Sequence, residues 1–264
     1  MGVIKAQNIT TGYDDRIIID DLSLSIKKGA ITTIIGENGS GKSTLLKTMG
    51  RVLKPSKGNI LINDKDIHRT NTKEIARIIG LLPQTPKAPS GLSVKEIVEY
   101  GRFPHKQGRG KLTKEDQEIV DWALEKTNLL EYKDRGIEAL SGGQRQRVWI
   151  AMVLAQQTEV ILLDEPTTYL DMAYQLEVLQ LVQSLNKEKQ ITVVMVLHDI
   201  NQASRFSDEL IMLKSGKIVA TGSPKMTMTS DVLREVFNIE ALISNIPGED
   251  YPVCISYELI REGK

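Results

Sequence analysis

One stretch of the chain has the residue types and spacing needed to bind a phosphate group. It follows the pattern G-x-x-x-x-G-K-[ST], and its members are Gly36, Glu37, Asn38, Gly39, Ser40, Gly41, Lys42, Ser43 and Thr44. Glycines allow the backbone to fold tightly around an anion, and a helix that starts here adds the positive end of its dipole. In this pattern the Lys42 ammonium reaches the β- and γ-phosphates, and the Ser43 hydroxyl ligates Mg²⁺. This phosphate loop predicts a nucleoside triphosphate site; the alternative is an ordinary glycine turn.

Two neighbouring carboxylates form a second group of residues that could take part in a reaction. The apolar run Val160–Leu163 is followed directly by Asp164 and Glu165, which places both acids at the mouth of a buried strand. Neighbouring carboxylates repel each other, and a bound metal explains why they stand together. We expect Asp164 to hold Mg²⁺ and Glu165 to polarise an attacking water.

The elements around both groups must bring them to one edge of a sheet. The β-branched run Ile31–Ile35 precedes the phosphate loop as a strand, and a helix opens after it. The apolar run Ile191–Leu197 indicates another strand, covered on both faces. Residues 17–19 and 22–26 predict two short strands nearer the N-terminus. The sequence therefore predicts an α/β fold: a P-loop core with a mixed, largely parallel sheet and an N-terminal antiparallel β region.

The composition of the sequence changes after Gln84. Ser93 and Thr113 each stand three residues before an acidic side chain and just before an apolar run, so each predicts a capped helix. Between these helices, residues 101–110 are polar, basic and glycine-containing, which predicts a solvated loop. We expect one domain over residues 1–264, with a helical subdomain at about 86–158 inserted in the core and a C-terminal extension at about 226–264.

Charge and hydropathy narrow the class of protein. Lys plus Arg and Asp plus Glu both number 34, so the formal net charge is zero and gives no electrostatic argument for a nucleic-acid partner. No apolar run approaches the roughly 18 residues that a membrane helix requires, and the N-terminus lacks the apolar core of a signal peptide. We expect a protein kept in the cytoplasm, in which the single cysteine, Cys254, is incidental.

The most specific pattern lies at Leu140–Arg147, which reads L-S-G-G-Q-R-Q-R. Here the chain resembles the ATP-binding subunits of ABC transporters, whose signature is L-S-G-G-Q. Glycines at a helix N-terminus can face a phosphate; for this stretch alone, a flexible turn is the alternative. The resemblance implies a head-to-tail homodimer with ATP and Mg²⁺, in which the signature of one subunit binds the ATP held by the other. The signature residues implied in this contact are Ser141, Gly142, Gly143 and Gln144.

Further residues match the same family in order. Tyr13 falls where the family's adenine-stacking aromatic lies, although alone it would be read as a packed tyrosine in a turn. Gln84 matches the glutamine that contacts Mg²⁺ and water. Asp171 matches the loop that crosses the dimer interface, where Tyr169 replaces a residue that is often small. His198 matches the switch histidine near the γ-phosphate; a lone histidine after a strand is otherwise structural.

A finer resemblance concerns the cargo. The stretches 101–105, 144–147, 165–171 and 197–203 look like those of importers of iron–siderophore complexes, haem or cobalamin. The resemblance implies the ATPase subunit of a bacterial importer, with ferric siderophores expected and haem or cobalamin as alternatives. Such a subunit docks on an integral-membrane permease at the cytoplasmic face of the membrane, is fed indirectly by an extracytoplasmic substrate-binding protein, and binds no nucleic acid. A soluble, non-transport ABC ATPase and a nucleotide-binding switch without turnover stay open at this point.

Overall fold

The computed structural model describes residues 2–14, 16–106 and 111–260. Over these ranges the chain forms twelve strands: β1 (Gly2–Tyr13), β2 (Arg16–Lys27), β3 (Ile31–Ile35), β4 (Lys57–Ile62), β5 (Lys65–Asp66), β6 (Ile79–Leu82), β7 (Val160–Asp164), β8 (Thr192–Val196), β9 (Glu209–Lys214), β10 (Lys217–Gly222), β11 (Ile239–Asn245) and β12 (Pro252–Leu259). The same ranges contain nine α-helices: α1 (Lys42–Met49), α2 (Thr72–Ala76), α3 (Val94–Glu99), α4 (Lys114–Lys126), α5 (Gly142–Ala155), α6 (Met172–Lys189), α7 (Ile200–Phe206), α8 (Pro224–Thr227) and α9 (Ser230–Phe237). Short 3₁₀ helices lie at Tyr100–His105, Leu130–Tyr132 and Ile137–Ala139.

The chain divides into two compact units. The first is formed by the described residues up to Arg69 and from Thr192 onward, and the second by Thr70–Ile191. Strands and helices occur in both, which confirms the α/β class. The boundaries expected for the helical subdomain and the C-terminal extension stay predictions.

The first unit holds the strand that leads into the phosphate loop. Its antiparallel sheet has the order β2-β1-β4-β5, and a second set of strands has the order β10-β9-β3-β8. β3 pairs in parallel with β8 and β9, whereas β10 returns antiparallel to β9. Every residue of β3 and β8 is buried, as expected for strands covered on both faces. The predicted mixed pairing and the N-terminal antiparallel region are therefore confirmed.

One strand of this unit differs from the sequence prediction. β2 runs unbroken over 12 residues, where two short strands were expected. Asp21 takes a left-handed φ of 51° in its middle, and the pairing with β1 changes register around this residue. A bulge of this kind bends a strand without ending it. The adjacent polar residues Asp20 and Asp21 therefore look like a turn in the sequence although the strand continues.

The second unit packs helices with the parallel pair β6 and β7. Both predicted capping boxes are present: Ser93 begins α3 and Thr113 begins α4, each with its reciprocal hydrogen bonds. α5 contacts α3, α4 and β6, and most of its apolar residues are buried. The helix that starts at the signature is therefore anchored along its length.

The predicted solvated loop is wrong for residues 101–105, which belong to a 3₁₀ helix; the loop residues 107–110 lie outside the described ranges. Arg102 is only 5% exposed. Its Nε donates to Asp116 Oδ1 at 2.8 Å, and its Nη1 donates to the carbonyl oxygen of Ala155 at 2.8 Å. Burial acts to raise the pKa of Asp116, but the hydrogen bonds that its carboxylate accepts outweigh this and lower it. Composition cannot show this, because a buried arginine depends on partners far along the chain.

Candidate active site

The phosphate loop has the backbone shape that an anion requires. Gly39 and Gly41 take positive φ angles of 79° and 102°, which side-chain-bearing residues rarely adopt. A Cβ at Gly39 would meet none of the described atoms within 4 Å, so this side of the loop is open. A Cβ at Gly36 would lie 2.0 Å from the carbonyl oxygen of Leu213. Glycine is therefore needed at 36 for close packing and at 39 and 41 for the direction of the chain.

The helix that follows this loop begins without a side-chain cap. The N-cap of α1 is Gly41, and no side-chain cap hydrogen bond is made there by the described residues. The first N–H groups of such a helix attract an anion. Ser40 Oγ is buried and, among the described residues, has no hydrogen-bond partner. A bound phosphate would satisfy both features, so the residues present fit a nucleotide.

Lys42 folds its side chain back over the loop. Nζ donates to the carbonyl oxygens of Gly36, at 2.8 Å, and Glu37, at 2.9 Å, and the residue is only 5% exposed. These bonds hold a buried positive charge beside the loop backbone. The exposure of the neighbouring predicted residues varies: exposed for Glu37 and Asn38, intermediate for Ser43 and buried for Thr44.

Both predicted carboxylates lie where β7 ends. Asp164 is the last residue of the strand and is 1% exposed. Glu165 follows with a φ of 54°, a left-handed value that is uncommon outside glycine and often marks a functional position. Its Oε2 accepts hydrogen bonds from Gln84 Nε2 at 2.6 Å and from Thr168 Oγ1 at 3.0 Å. The structure therefore brings Gln84 and Glu165 together, although they are 81 residues apart.

The sequence prediction missed Thr168, which steadies the Glu165 carboxylate. The only signal that the sequence offers is a hydroxyl three residues after the acid. The contact with Gln84 also orients the amide, because it directs Nε2 toward Glu165 and leaves Oε1 as the atom suited to a metal. The amide oxygen of Gln84, the carboxylate of Asp164 and the hydroxyl of Ser43 are oxygen donors of the type that Mg²⁺ accepts.

The signature stretch forms the beginning of α5. Ser141 is the N-cap, and its Oγ accepts from the backbone N–H of Gln144 at 3.2 Å. Gln144 Oε1 accepts in return from the backbone N–H of Ser141 at 3.0 Å, which closes a capping box. A hydroxyl has one donor and two acceptor positions, so Ser141 can cap the helix and still donate to a phosphate. The flexible-turn alternative is wrong, since this stretch starts a capped helix.

Asp171 is the N-cap of α6, as Ser141 is the N-cap of α5. Its Oδ1 accepts from the backbone N–H of Tyr174 at 3.1 Å. Tyr169, two residues earlier, is 93% exposed and has a left-handed φ of 64°. An aromatic ring displayed in this way is available to another molecule. The interface role of Asp171 stays a prediction.

Two predicted residues of the first unit lie at strand ends. Tyr13 ends β1 and is 43% exposed, so its ring is accessible to a stacking partner. His198 follows β8 and is exposed, next to Asp199, which caps α7. The adenine-stacking and switch roles stay predictions.

In the described part of the chain, no helix has the length and apolar character needed to cross a membrane.

The chain is similar to known proteins along its whole length. Residues 19–168 match the family described as ABC transporter. The chain is 54% identical over 264 residues to the iron(3+)-hydroxamate import ATP-binding protein FhuC of Bacillus subtilis (strain 168), covering 100% of this chain and 98% of that protein. It is 42% identical over 252 residues to the ferric enterobactin transport ATP-binding protein FepC of Escherichia coli (strain K12), covering 96% and 93%. A dimeric, post-hydrolysis structure of the ATP-binding cassette MJ0796, bound to ADP and phosphate, matches with a TM-score of 0.73 and 33% identity over 83% of this chain and 98% of that one.

Proposed function

The chain belongs to the ABC transporter family, and from this premise we propose that it is the ATP-hydrolysing subunit of an importer for ferric siderophores. The observation that carries the proposal is the 54% identity over 264 residues to a protein named for iron(3+)-hydroxamate import. The 42% identity to a protein named for ferric enterobactin transport supports the same cargo class. A nucleotide-binding switch without turnover is not supported, since the chain is an ATPase of this family.

The residues of the site have separable tasks in ATP hydrolysis. ATP, when bound, supplies the phosphoanhydride bond that is cleaved. The backbone N–H groups of the phosphate loop and the Lys42 ammonium stabilise the charge on its phosphates. Glu165 accepts the proton of the attacking water, and the hydrogen bonds from Gln84 and Thr168 keep its carboxylate oriented.

Mg²⁺ is the proposed metal of this reaction. The residues proposed to hold it are Ser43, Gln84 and Asp164, with phosphate oxygens of the nucleotide as further ligands. The support is chemical: all three side chains offer oxygen atoms, and the buried carboxylate of Asp164 ends a strand. Removing Mg²⁺ with a chelator should therefore stop turnover.

The proposed working state is a homodimer attached to a permease. Support for the dimer comes from the dimeric cassette to which this chain is similar. The integral-membrane permease would hold the dimer at the cytoplasmic face of the membrane, and an extracytoplasmic binding protein would act on it only indirectly. Tyr13 and His198 are proposed to stack on adenine and to sense the γ-phosphate, respectively.

Uptake of labelled iron tests the function. A strain that lacks this chain should lose uptake of radioactive iron(3+)-hydroxamate and regain it with the wild-type chain. A matched Glu165→Gln chain should bind ATP but restore almost no uptake, because its amide cannot take the proton; loss of a general base costs about 10²–10⁴ in rate. If only the uptake of haem or cobalamin were lost, that compound would replace ferric siderophores as the cargo. If no transport defect appeared at all, a soluble ABC ATPase would be favoured.

A further inference from the structure

The first turns of α5 and α6 meet through one aromatic ring. Tyr174, the third residue of α6, lies against the backbone of Gly143, the second residue of α5. A Cβ built at Gly143 would lie 2.9 Å from Cγ, 3.1 Å from Cδ1 and 3.2 Å from Cδ2 of Tyr174. A side chain at 143 would therefore overlap the ring, and either the ring or the helix would have to move.

A second contact fixes the ring from the next turn of α5. The Arg147 guanidinium lies over the ring, with Cζ 5.6 Å from the centroid of Tyr174, within the range of a cation–π contact. Arg147 Nη1 also donates to Glu177 Oε2 at 3.2 Å. Because Arg147 is one turn after Gly143, and Glu177 one turn after Tyr174, two successive turns of each helix are joined.

The same tyrosine also closes the cap of its own helix. Its backbone N–H donates to Asp171 Oδ1 at 3.1 Å. One residue therefore joins the Asp171 cap to the Gly143 backbone, which lies two residues after the Ser141 cap. Gly142 differs, because a Cβ there would meet none of the described atoms within 4 Å. The two adjacent glycines are thus glycine for different reasons.

We infer that Tyr174 is a positioning residue, which sets the first turn of α5 against that of α6, and that position 143 is glycine because this ring fills the space of a side chain. The inference rests on the proposed function, in which the signature of one chain binds ATP held by another. Donors that bind a phosphate must be placed to within a fraction of an ångström. A shift of the first turn of α5 would move Ser141 and the N–H groups beside it.

A double-mutant cycle in the full-length chain tests this contact. Gly143→Ala should lower kcat about tenfold through the overlap, and Tyr174→Ala a few-fold through loosened placement. Gly143→Ala with Tyr174→Ala should be clearly faster than Gly143→Ala alone, because the obstacle is gone. In the matched control, the effects of Gly142→Ala and Tyr174→Ala should multiply, since no described atom lies near a Cβ at 142.

Two further measurements separate positioning from simple stability. The ATP affinity of the isolated Tyr174→Ala chain should equal that of wild type while kcat falls, because the phosphate loop is untouched. Tyr174→Phe should keep most of the turnover, since the Tyr174 hydroxyl makes no hydrogen bond within the described residues. Rates are compared well below each variant's unfolding temperature.

The outcomes are distinguishable. A double variant as slow as Gly143→Ala would overturn the inference, because the glycine would then be needed for something other than the ring. Tyr174→Ala with wild-type kcat would also overturn it. If the wild-type chain released no phosphate at all, the proposed function would fail and the positioning role with it. The same cycle in unfolding temperature would then still show whether Gly143 and Tyr174 are in contact.

Discussion

Two helices of this chain begin at glycine-containing motifs, and they begin in opposite ways. α1 starts at Gly41 without a side-chain cap, whereas α5 starts at Ser141 with a closed capping box. In the phosphate loop, glycine supplies positive φ angles. In the signature, Gly142 and Gly143 have ordinary helical backbone. Glycine supplies space at Gly143, where the Tyr174 ring lies, whereas a Cβ at Gly142 would meet none of the described atoms within 4 Å. The start of α1 therefore has room for an anion. The cap of α5 is already closed by hydrogen bonds within its own chain, so a ligand can approach only its outer side.

The contrast has an energetic side. A side-chain cap stabilises a helix by about 0.5–2 kcal/mol, and α1 lacks this contribution. It is held instead by buried apolar residues, namely Leu45, Leu46 and Met49. A ligand that supplies the missing partners at its N-terminus should stabilise the chain by mass action, about 2.7 kcal/mol at a hundredfold excess over Kd. The start of α5 should gain little stability from ATP until a second chain brings its bound ATP against this helix.

The largest expected effect comes from the uncapped helix start. Lys42→Ala removes the ammonium that bridges the loop, and ATP affinity should fall on the order of 100-fold, since a hydrogen bond to a charged group contributes about 1.5–3 kcal/mol. Equilibrium binding of a fluorescent ATP analogue measures this loss, and the shift of the unfolding temperature by ATP should disappear with it. Ser141→Ala is the matched lesion at the capped start and should leave the affinity of the isolated chain unchanged. If Ser141→Ala lost as much ATP affinity as Lys42→Ala, the uncapped and capped helix starts would not differ in nucleotide binding.

A mixed dimer gives an intermediate effect. If each site takes Lys42 from one chain and the signature from the other, a Lys42→Ala chain and a Gly142→Arg chain should each be nearly inactive alone. Gly142 is the better signature lesion, because its Cβ position meets no described atom within 4 Å, whereas Ser141→Arg would also destroy a cap. Random mixing leaves one intact site in half of the dimers, so about a quarter of wild-type ATPase activity should return.

The control for this mixture is a pair with both lesions in one chain. In a mixed dimer of a Lys42→Ala, Gly142→Arg chain with wild type, shared sites would each carry one lesion, so neither site would be intact. Sites built within single chains would instead leave one intact site. Proven mixed dimers with no activity above the separate variants would contradict the shared site, unless the double-lesion control were equally silent. In that case the two sites would have to work together.

Local patterns predicted local structure well. The capping boxes at Ser93 and Thr113 and the turn of the phosphate loop depend on residues within a few positions of one another, and all are present. A related pattern, S-x-x-Q, stands at Ser141, where a flexible turn is the alternative in the sequence analysis. Its signal was in the sequence, since the cap uses only Ser141 and Gln144.

Contacts across long separations could not be predicted from composition or spacing. Arg102 finds its partners 14 and 53 residues away, so a basic residue of the stretch that suggested a solvated loop is in fact buried. Tyr174 carries no motif of its own, and only the fold shows that it touches Gly143. Thr168 is close to Glu165 in the sequence, but it carries no motif either, so its hydrogen bond was also missed. The Asp21 bulge is hidden for a related reason, because a strand can accommodate a polar break when its partner changes register.

The smallest expected effect separates two tasks of one hydroxyl. Ser141 caps α5 through its oxygen and, in the proposed dimer, donates its hydrogen to a phosphate. Ser141→Ala loses both, so the free energy of unfolding should fall by about 1 kcal/mol, and turnover should fall as well. Ser141→Asn keeps an oxygen that can accept from the Gln144 N–H, so chemical denaturation should show near wild-type stability. Its turnover should nevertheless stay low, because a larger amide replaces the hydroxyl at the outer side of the cap. If Ser141→Asn restored both stability and turnover, the size and position of the serine hydroxyl would be unnecessary, since an asparagine amide can accept a hydrogen bond and also donate one.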